Sequence, residues 1–287
     1  MYAIKTEALT KFYGKSRGIE NVDLAVEAGD FFGFIGPNGS GKSTTIRTIL
    51  GLITATSGRA EILGREVSEN KTELLREIGY LPSETAFYSG MKVKDMLSLS
   101  AKLRKVDCAE EAKRLAERLE LDTDRRVDEL SLGNRKKVGI VAALQHKPSL
   151  YVLDEPTSGL DPLMQREFYS ILKERNEEGA TVFLSSHILS EVSRYCKHAA
   201  VIREGRVIVT DSIERLGHTG VKRVSLKGIS ALPEIDGAKD IVTEDENVSF
   251  LYSGDTRALL QRLSGLDFSD INISDPDLDE IFMHYYM

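Results

Sequence analysis

The stretch Gly36-Pro37-Asn38-Gly39-Ser40-Gly41-Lys42-Ser43-Thr44 decides the fold. It fits G-x-x-x-x-G-K-[ST], with an apolar β-type run, Phe31–Ile35, before it and a helix-like segment, Ser43–Leu52, after it. The strand–loop–helix setting is what a phosphate-binding loop needs. Its glycines let successive backbone N–H groups turn inward as an anion nest, and the helix N-terminus adds partial positive charge. Lys42 offers a point charge to the outer phosphates, and the Ser43 hydroxyl can ligate Mg²⁺. Nine residues in this order imply binding of a nucleoside triphosphate.

Downstream, Leu150-Tyr-Val-Leu-Asp-Glu155 is an apolar run ending in two carboxylates. Such a run reads as a buried parallel strand, and ligands gather at the carboxyl ends of these strands. Asp154 is placed to hold Mg²⁺ and Glu155 to orient and deprotonate an attacking water.

Between and around these motifs, short β-type runs alternate with helical ones from Ala3 to about Val209, including one run over Ala199–Val209. That alternation predicts an α/β fold with a parallel sheet. Residues from about Ser83 to Arg126 are purely helical in pattern, which predicts a helical subdomain at about 83–130. Asp107-Cys-Ala-Glu110 reads there as a capping box. From Asp211 onward the chain carries fifteen acidic and seven basic residues, against thirty and thirty-one before it. The shift marks a boundary and argues against nucleic acid as a partner of the tail. We expect a nucleotide-binding domain over 1–215 and a small acidic α+β domain over 216–287, with strands at Val221–Leu226, Val248–Tyr252 and Phe268–Ile273. Helices are expected at Thr256–Leu263 and Leu278–Tyr286.

Composition narrows the classes. The longest apolar run, Val138–Leu144, falls far short of the ~20 residues that span a bilayer. No secretory signal is expected from the N-terminus. Cys108 and Cys196 lie in no metal-ligand spacing and read as structural thiols.

With both motifs placed, the chain resembles the ATP-binding cassette family. Leu130-Ser-Leu-Gly-Asn-Arg-Lys136 sits where that family has its LSGGQ signature. Ser131 and Gly133 match it, whereas Leu132 and Asn134 depart from the second Gly and the Gln. The resemblance implies that Ser131 and Gly133 meet the γ-phosphate of a nucleotide held by a second copy. It further implies that Asp161, in Ser158-Gly-Leu-Asp161, links the two sites, that His187, after Val182–Ser186, contacts the γ-phosphate, and that Tyr13 stacks on adenine. After Ile78-Gly-Tyr-Leu-Pro82 the family usually has a Gln that reaches Mg²⁺; Ser83-Glu84 stands here instead. We expect Ser83 to take its place through a bridging water and Glu84 to face away. The basic run Arg135-Lys-Lys137 reads as a solvated helix face.

The resemblance covers residues 3–215 and implies an α/β P-loop NTPase that hydrolyses ATP with Mg²⁺. The short interval between Lys42 and Ser131 leaves no room for a coiled coil, and one cassette rather than two is present. What remains is an ATPase that pairs head-to-tail with a second copy and serves a separate integral membrane permease. It would lie in the cytoplasm, peripheral on the inner face of the membrane. The segment Ile273–Tyr286 resembles the end of ATPases of type-2 exporters for drugs, antibiotics and bacitracin. Its spacing of Leu278, Ile281, Phe282 and Tyr285 fits a plain core-packing helix equally. The alternative is a soluble regulatory or ribosome-associated ATPase with no permease.

Overall fold

The structure is a computed structural model describing residues 1–217 and 221–275. It divides into two compact units, Met1–Asp211 and the residues from Ser212 onward. The division falls at the charge break at Asp211, a few residues before the expected domain boundary at 215/216.

In the first unit, β1 (Tyr2–Tyr13) and β2 (Ser16–Glu27) form a long hairpin, followed by β3 (Phe31–Ile35) and α1 (Lys42–Ile49). Then come β4 (Ser57–Ile62), β5 (Arg65–Glu66), α2 (Val67–Glu77) and β6 (Ile78–Leu81). The helical segment contains α3 (Val93–Arg104), α4 (Ala109–Arg118) and a 3₁₀ turn at Val127–Glu129. α5 (Leu132–Leu144), β7 (Leu150–Asp154), α6 (Pro162–Glu177), β8 (Thr181–Ser186), α7 (Leu189–Tyr195), β9 (His198–Arg203) and β10 (Arg206–Ser212) complete it.

Two sheets share the core. A six-stranded sheet runs β10-β9-β3-β8-β7-β6, parallel from β9 to β6. An antiparallel sheet, β2-β1-β4-β5, packs with it around α1. Every residue of β3, β7 and β8 is buried, as strands covered on both faces require. Phe32 and Phe183 stack across β3 and β8 with ring centroids 5.8 Å apart. The parallel register puts the carboxyl ends of β3, β7 and β8 side by side, at Ile35, Asp154 and Ser186.

Several elements differ from the sequence reading. The run Ala199–Val209 is two strands around a turn at Glu204-Gly205, where both residues have positive φ, 49° and 76°. The expected capping box at Asp107 does not form. Cys108 is the N-cap of α4 and makes no side-chain cap, while Asp107 Oδ1 accepts from the Ala109 amide at 3.1 Å, a tighter local turn. α4 is tied to α6 by charge: Arg118 pairs with Glu167 and Glu174, Arg114 with Glu174, and buried Arg175 with Glu111.

The second unit contains α8 (Ile213–Gly217), β11 (Val221–Lys227), β12 (Ala238–Glu244), β13 (Asn247–Ser253), α9 (Thr256–Leu263) and β14 (Asp270–Ser274). Its antiparallel sheet runs β12-β13-β11-β14. Alternation along β13 turns Val248, Phe250 and Tyr252 inward, against Leu259 and Leu263 of α9. Asp255 caps α9 by accepting from the Ala258 amide. β12 went unread in the sequence because its residues are nearly all exposed and show no buried face. The helix expected over Leu278–Tyr286 lies outside the described residues.

Candidate functional site

The phosphate loop leaves β3 at Ile35 and enters α1 at Lys42. Gly41 caps α1 with φ 111°, a conformation L side chains rarely adopt, so the loop needs glycine there. No acidic residue stands in the first turn of α1, so no carboxylate of the helix itself offsets its positive end. Pro37, Asn38 and Gly39 are exposed, Ser43 and Thr44 partly buried, and the Ser40 hydroxyl is buried with no hydrogen-bond partner.

Lys42 is 6 % exposed and points back across its own loop. Its Nζ donates to Gly36 O at 2.6 Å and to Pro37 O at 3.3 Å. Glu155 Oε1 lies 3.1 Å from the same Nζ as an ion pair without hydrogen-bond alignment. Glu155 follows the last residue of β7 and has φ 48°. That left-handed backbone costs a residue with a Cβ roughly 1–2 kcal/mol, a strain that persists at a site which over-determines it. Its other oxygen, Oε2, accepts from His187 Nδ1–H at 2.7 Å, which fixes the imidazole tautomer. The residues that follow β3, β7 and β8 thus converge on one chain of contacts: Lys42, Glu155, His187.

Asp154 is fully buried beside them. Its Oδ1 accepts from the Ser185 hydroxyl at 2.6 Å, whereas Oδ2 is buried without a partner. Burying an ionised carboxylate oxygen unpaired is costly, so Oδ2 is an atom suited to a hard cation. Ser185 also accepts from the Glu155 amide through its hydroxyl, 3.2 Å away, and so orients both carboxylates. The sequence reading missed Ser185, although its place at the end of β8 opposite Asp154 could have revealed it.

The signature residues form a second patch. Ser131 is the N-cap of α5 and accepts from the Asn134 amide at 3.3 Å. A Cβ on Gly133 would lie 2.6 Å from Gly159 O, so the signature and the 158–161 turn fit together only with glycine there. Asp161 caps α6, accepting from the Leu163 and Met164 amides at 3.0 Å; those donors hold its carboxyl below the usual range. The cap hydrogen bonds of Ser131 and Asp161 stay within their own helices, and no hydrogen bond among the described residues brings them to Lys42. Tyr13 ends β1 with its ring half exposed and the Lys11 ammonium 5.3 Å from the ring centroid.

The basic run beside the signature departs from expectation. Arg135 is exposed, but Lys136 and Lys137 are buried, at 3 % and 8 % exposure. Lys136 Nζ donates to Ser83 O at 3.0 Å and to Pro82 O at 3.3 Å. Burial lowers its pKa to about 8, against the opposing pull of Asp154 and Glu155. Ser83 itself is partly buried and Glu84 exposed.

A parallel sheet with a glycine-rich loop entering a helix, and an acidic strand end facing the loop lysine, defines a P-loop NTPase. Residues 19–158 match the ABC transporter family. The bacitracin transport ATP-binding protein BcrA of Bacillus licheniformis is 34 % identical over 98 % of this chain and 96 % of its own length. The linearmycin resistance ATP-binding protein LnrL of Bacillus subtilis is 29 % identical over 98 % and 97 %. Among solved structures, an ATP-binding subunit of an ABC transporter aligns with TM-score 0.69 at 30 % identity, covering 75 % of this chain and 91 % of that one. A dimeric bacterial ABC transporter cassette aligns with TM-score 0.65 at 26 % identity, covering 73 % and 98 %. The chain belongs to the ABC transporter ATP-binding proteins, and it is an ATPase.

Proposed function

We propose that the chain is the motor subunit of an exporter, hydrolysing ATP–Mg²⁺ at two sites shared between two copies and driving a separate membrane permease. The observation that carries the chemistry is the Lys42–Glu155–His187 chain of contacts. Incoming phosphates compete with Glu155 for the Lys42 ammonium, which frees the carboxylate while His187 still holds its other oxygen. Glu155 then takes the proton of the attacking water, with His187 facing the γ-phosphate. The loop amides from Gly36 to Thr44 bind the phosphates, and Tyr13 stacks on the base. Asp154, through its unpartnered Oδ2, and Ser43 would hold Mg²⁺, which supplies neutralisation of phosphate charge. Ser131 and Gly133 complete the site of a second copy, and the Asp161 turn packed against Gly133 links the two sites.

Two features support export and a permease. No helix among the described residues is long and apolar enough to cross a membrane, which fits a division of labour with a separate permease. The bacitracin and linearmycin relatives match nearly the whole length, whereas the solved cassettes match about three quarters. On this reading the protein works at the cytoplasmic face of the membrane. Steady-state ATPase assays of Glu155→Gln test the catalytic part. ATP binding should persist while turnover drops ~10²–10⁴-fold, the usual cost of losing a general base. Turnover near the wild-type rate would remove Glu155 from the mechanism.

A further inference from the structure

Lys136 is a buried cation for which the hydrolytic mechanism above has no use. It stands in α5 between Arg135 and the likewise buried Lys137, just before the apolar run Val138–Leu144, and a methionine at its place would carry no desolvation cost. The ammonium is instead spent on the carbonyls of Pro82 and Ser83, at the position where the family resemblance calls for glutamine and finds serine. One turn further along the helix, Gly139 lets α5 approach the same loop. A Cβ there would lie 2.9 Å from Leu81 Cδ1 and 2.6 Å from Thr85 Cγ2. Two independent contacts therefore bind loop 82–85 to the helix whose N-terminus is Ser131.

We propose that Lys136 is a positioning residue: its ammonium clamps loop 82–85 to the signature helix, so that loop and signature move together. The inference rests on the ATPase reading and deepens it. In place of a long loop side chain reaching into the site, a cation from α5 holds the loop backbone. It remains within electrostatic reach of Asp154 and Glu155. Seating of Ser131 on a nucleotide is thereby transmitted to the loop before the catalytic carboxylates. Ser83 contributes its carbonyl oxygen to the clamp, whatever its hydroxyl does.

The test uses the full chain with Lys136→Met, which keeps side-chain length without donors or charge, and Lys136→Arg, which keeps both. For Lys136→Met, kcat should fall about 10- to 100-fold, the range seen when an outer-shell partner of a catalytic group is lost. Its ATP affinity should stay within about twofold, a split that a general structural lesion would not produce. Amide exchange should accelerate across residues 83–85 while β7 stays protected, and Lys136→Arg should recover most of kcat. An unchanged kcat, unchanged loop exchange, or an equal loss of ATP affinity would overturn the proposal. Should Lys136→Met not fold, Gly139→Ala carries the test: its Cβ would press on the Thr85 and Leu81 side chains, push the loop from α5 and so stretch the Lys136 contacts. The same kcat-only loss is expected, and wild-type kcat would refute the clamp. Wild-type protein without ATPase activity would instead contradict the hydrolytic reading itself.

Discussion

The two units handle charge in opposite ways. In the first, Asp30, Lys42, Lys136, Lys137, Asp154, Arg175 and Glu191 are all buried; among the described residues of the second, no charged side chain is. The second unit has the more acidic composition, yet it keeps those charges at the surface and fills its interior with Val224, Leu226, Val248, Phe250 and Leu259. Burying a charge costs several kcal/mol unless it is paired, so a core that retains seven of them sacrifices stability for chemistry or specificity. Three of these, Lys42, Lys136 and Asp154, surround the site. The contrast teaches that buried charge gathers in the first unit, whereas the second, among its described residues, buries only uncharged side chains and keeps ion pairs such as Lys222–Asp275 and Lys227–Asp270 at its surface.

The sharpest way to break that contrast is to damage the second unit's packing. Phe250 is 1 % exposed, and Phe250→Ala should lower the stability of that unit by about 3–5 kcal/mol. In calorimetry or amide exchange the loss should be confined to residues after Ser212, with ATP affinity unchanged. A parallel loss of ATP binding would merge the two units. Lys42→Ala is the mirror experiment. Removing the loop cation should weaken ATP binding by about 10²–10³-fold, since a charge-assisted contact to phosphate is lost along with the partner of Glu155. Calorimetric titration measures it, and melting of the second unit should not move.

A smaller effect follows from pH. Burial, aided by the Arg104 charge, lowers the His146 ring from 6.5 to about 4. Between those values the unfolded chain binds the proton and the fold does not, so first-unit stability falls as pH drops from about 6.5 toward 4. The full difference is about 3 kcal/mol. His146→Leu should flatten that part of the stability–pH curve; an unchanged slope would show that the ring protonates in the fold. Smallest of all, ending the chain at Asp211 should leave ATP affinity within about twofold, because every residue proposed to bind phosphate lies before it.

How far the sequence could be read follows the same division between local and tertiary causes. The phosphate loop, β3, β7 and the carboxylate pair are written in contiguous residues whose spacing is itself the requirement, and α9 was legible over its full span, Thr256–Leu263. The burial of Lys136 and Lys137 was not legible. A basic triplet beside a helix start reads as solvated, and the return of loop 82–85 onto α5 at Lys136 is a tertiary contact that the local sequence does not announce. β2 was hidden because its buried residues Ile19, Val22, Leu24 and Val26 are interrupted by a shift in register against β1. The strain at Glu155 also has no sequence signal, since glutamate seldom takes positive φ.

The central claim is that each nucleotide is finished by Ser131 of a second copy, and assembly state measures it directly. Sedimentation of Glu155→Gln with ATP and Mg²⁺ should show a dimer holding two nucleotides, and with ADP a monomer. Adding Ser131→Arg to the same chain should abolish the dimer while each chain still binds ATP. An ATP-loaded Glu155→Gln that stays monomeric, or one that dimerises equally well with Ser131→Arg, would contradict the account.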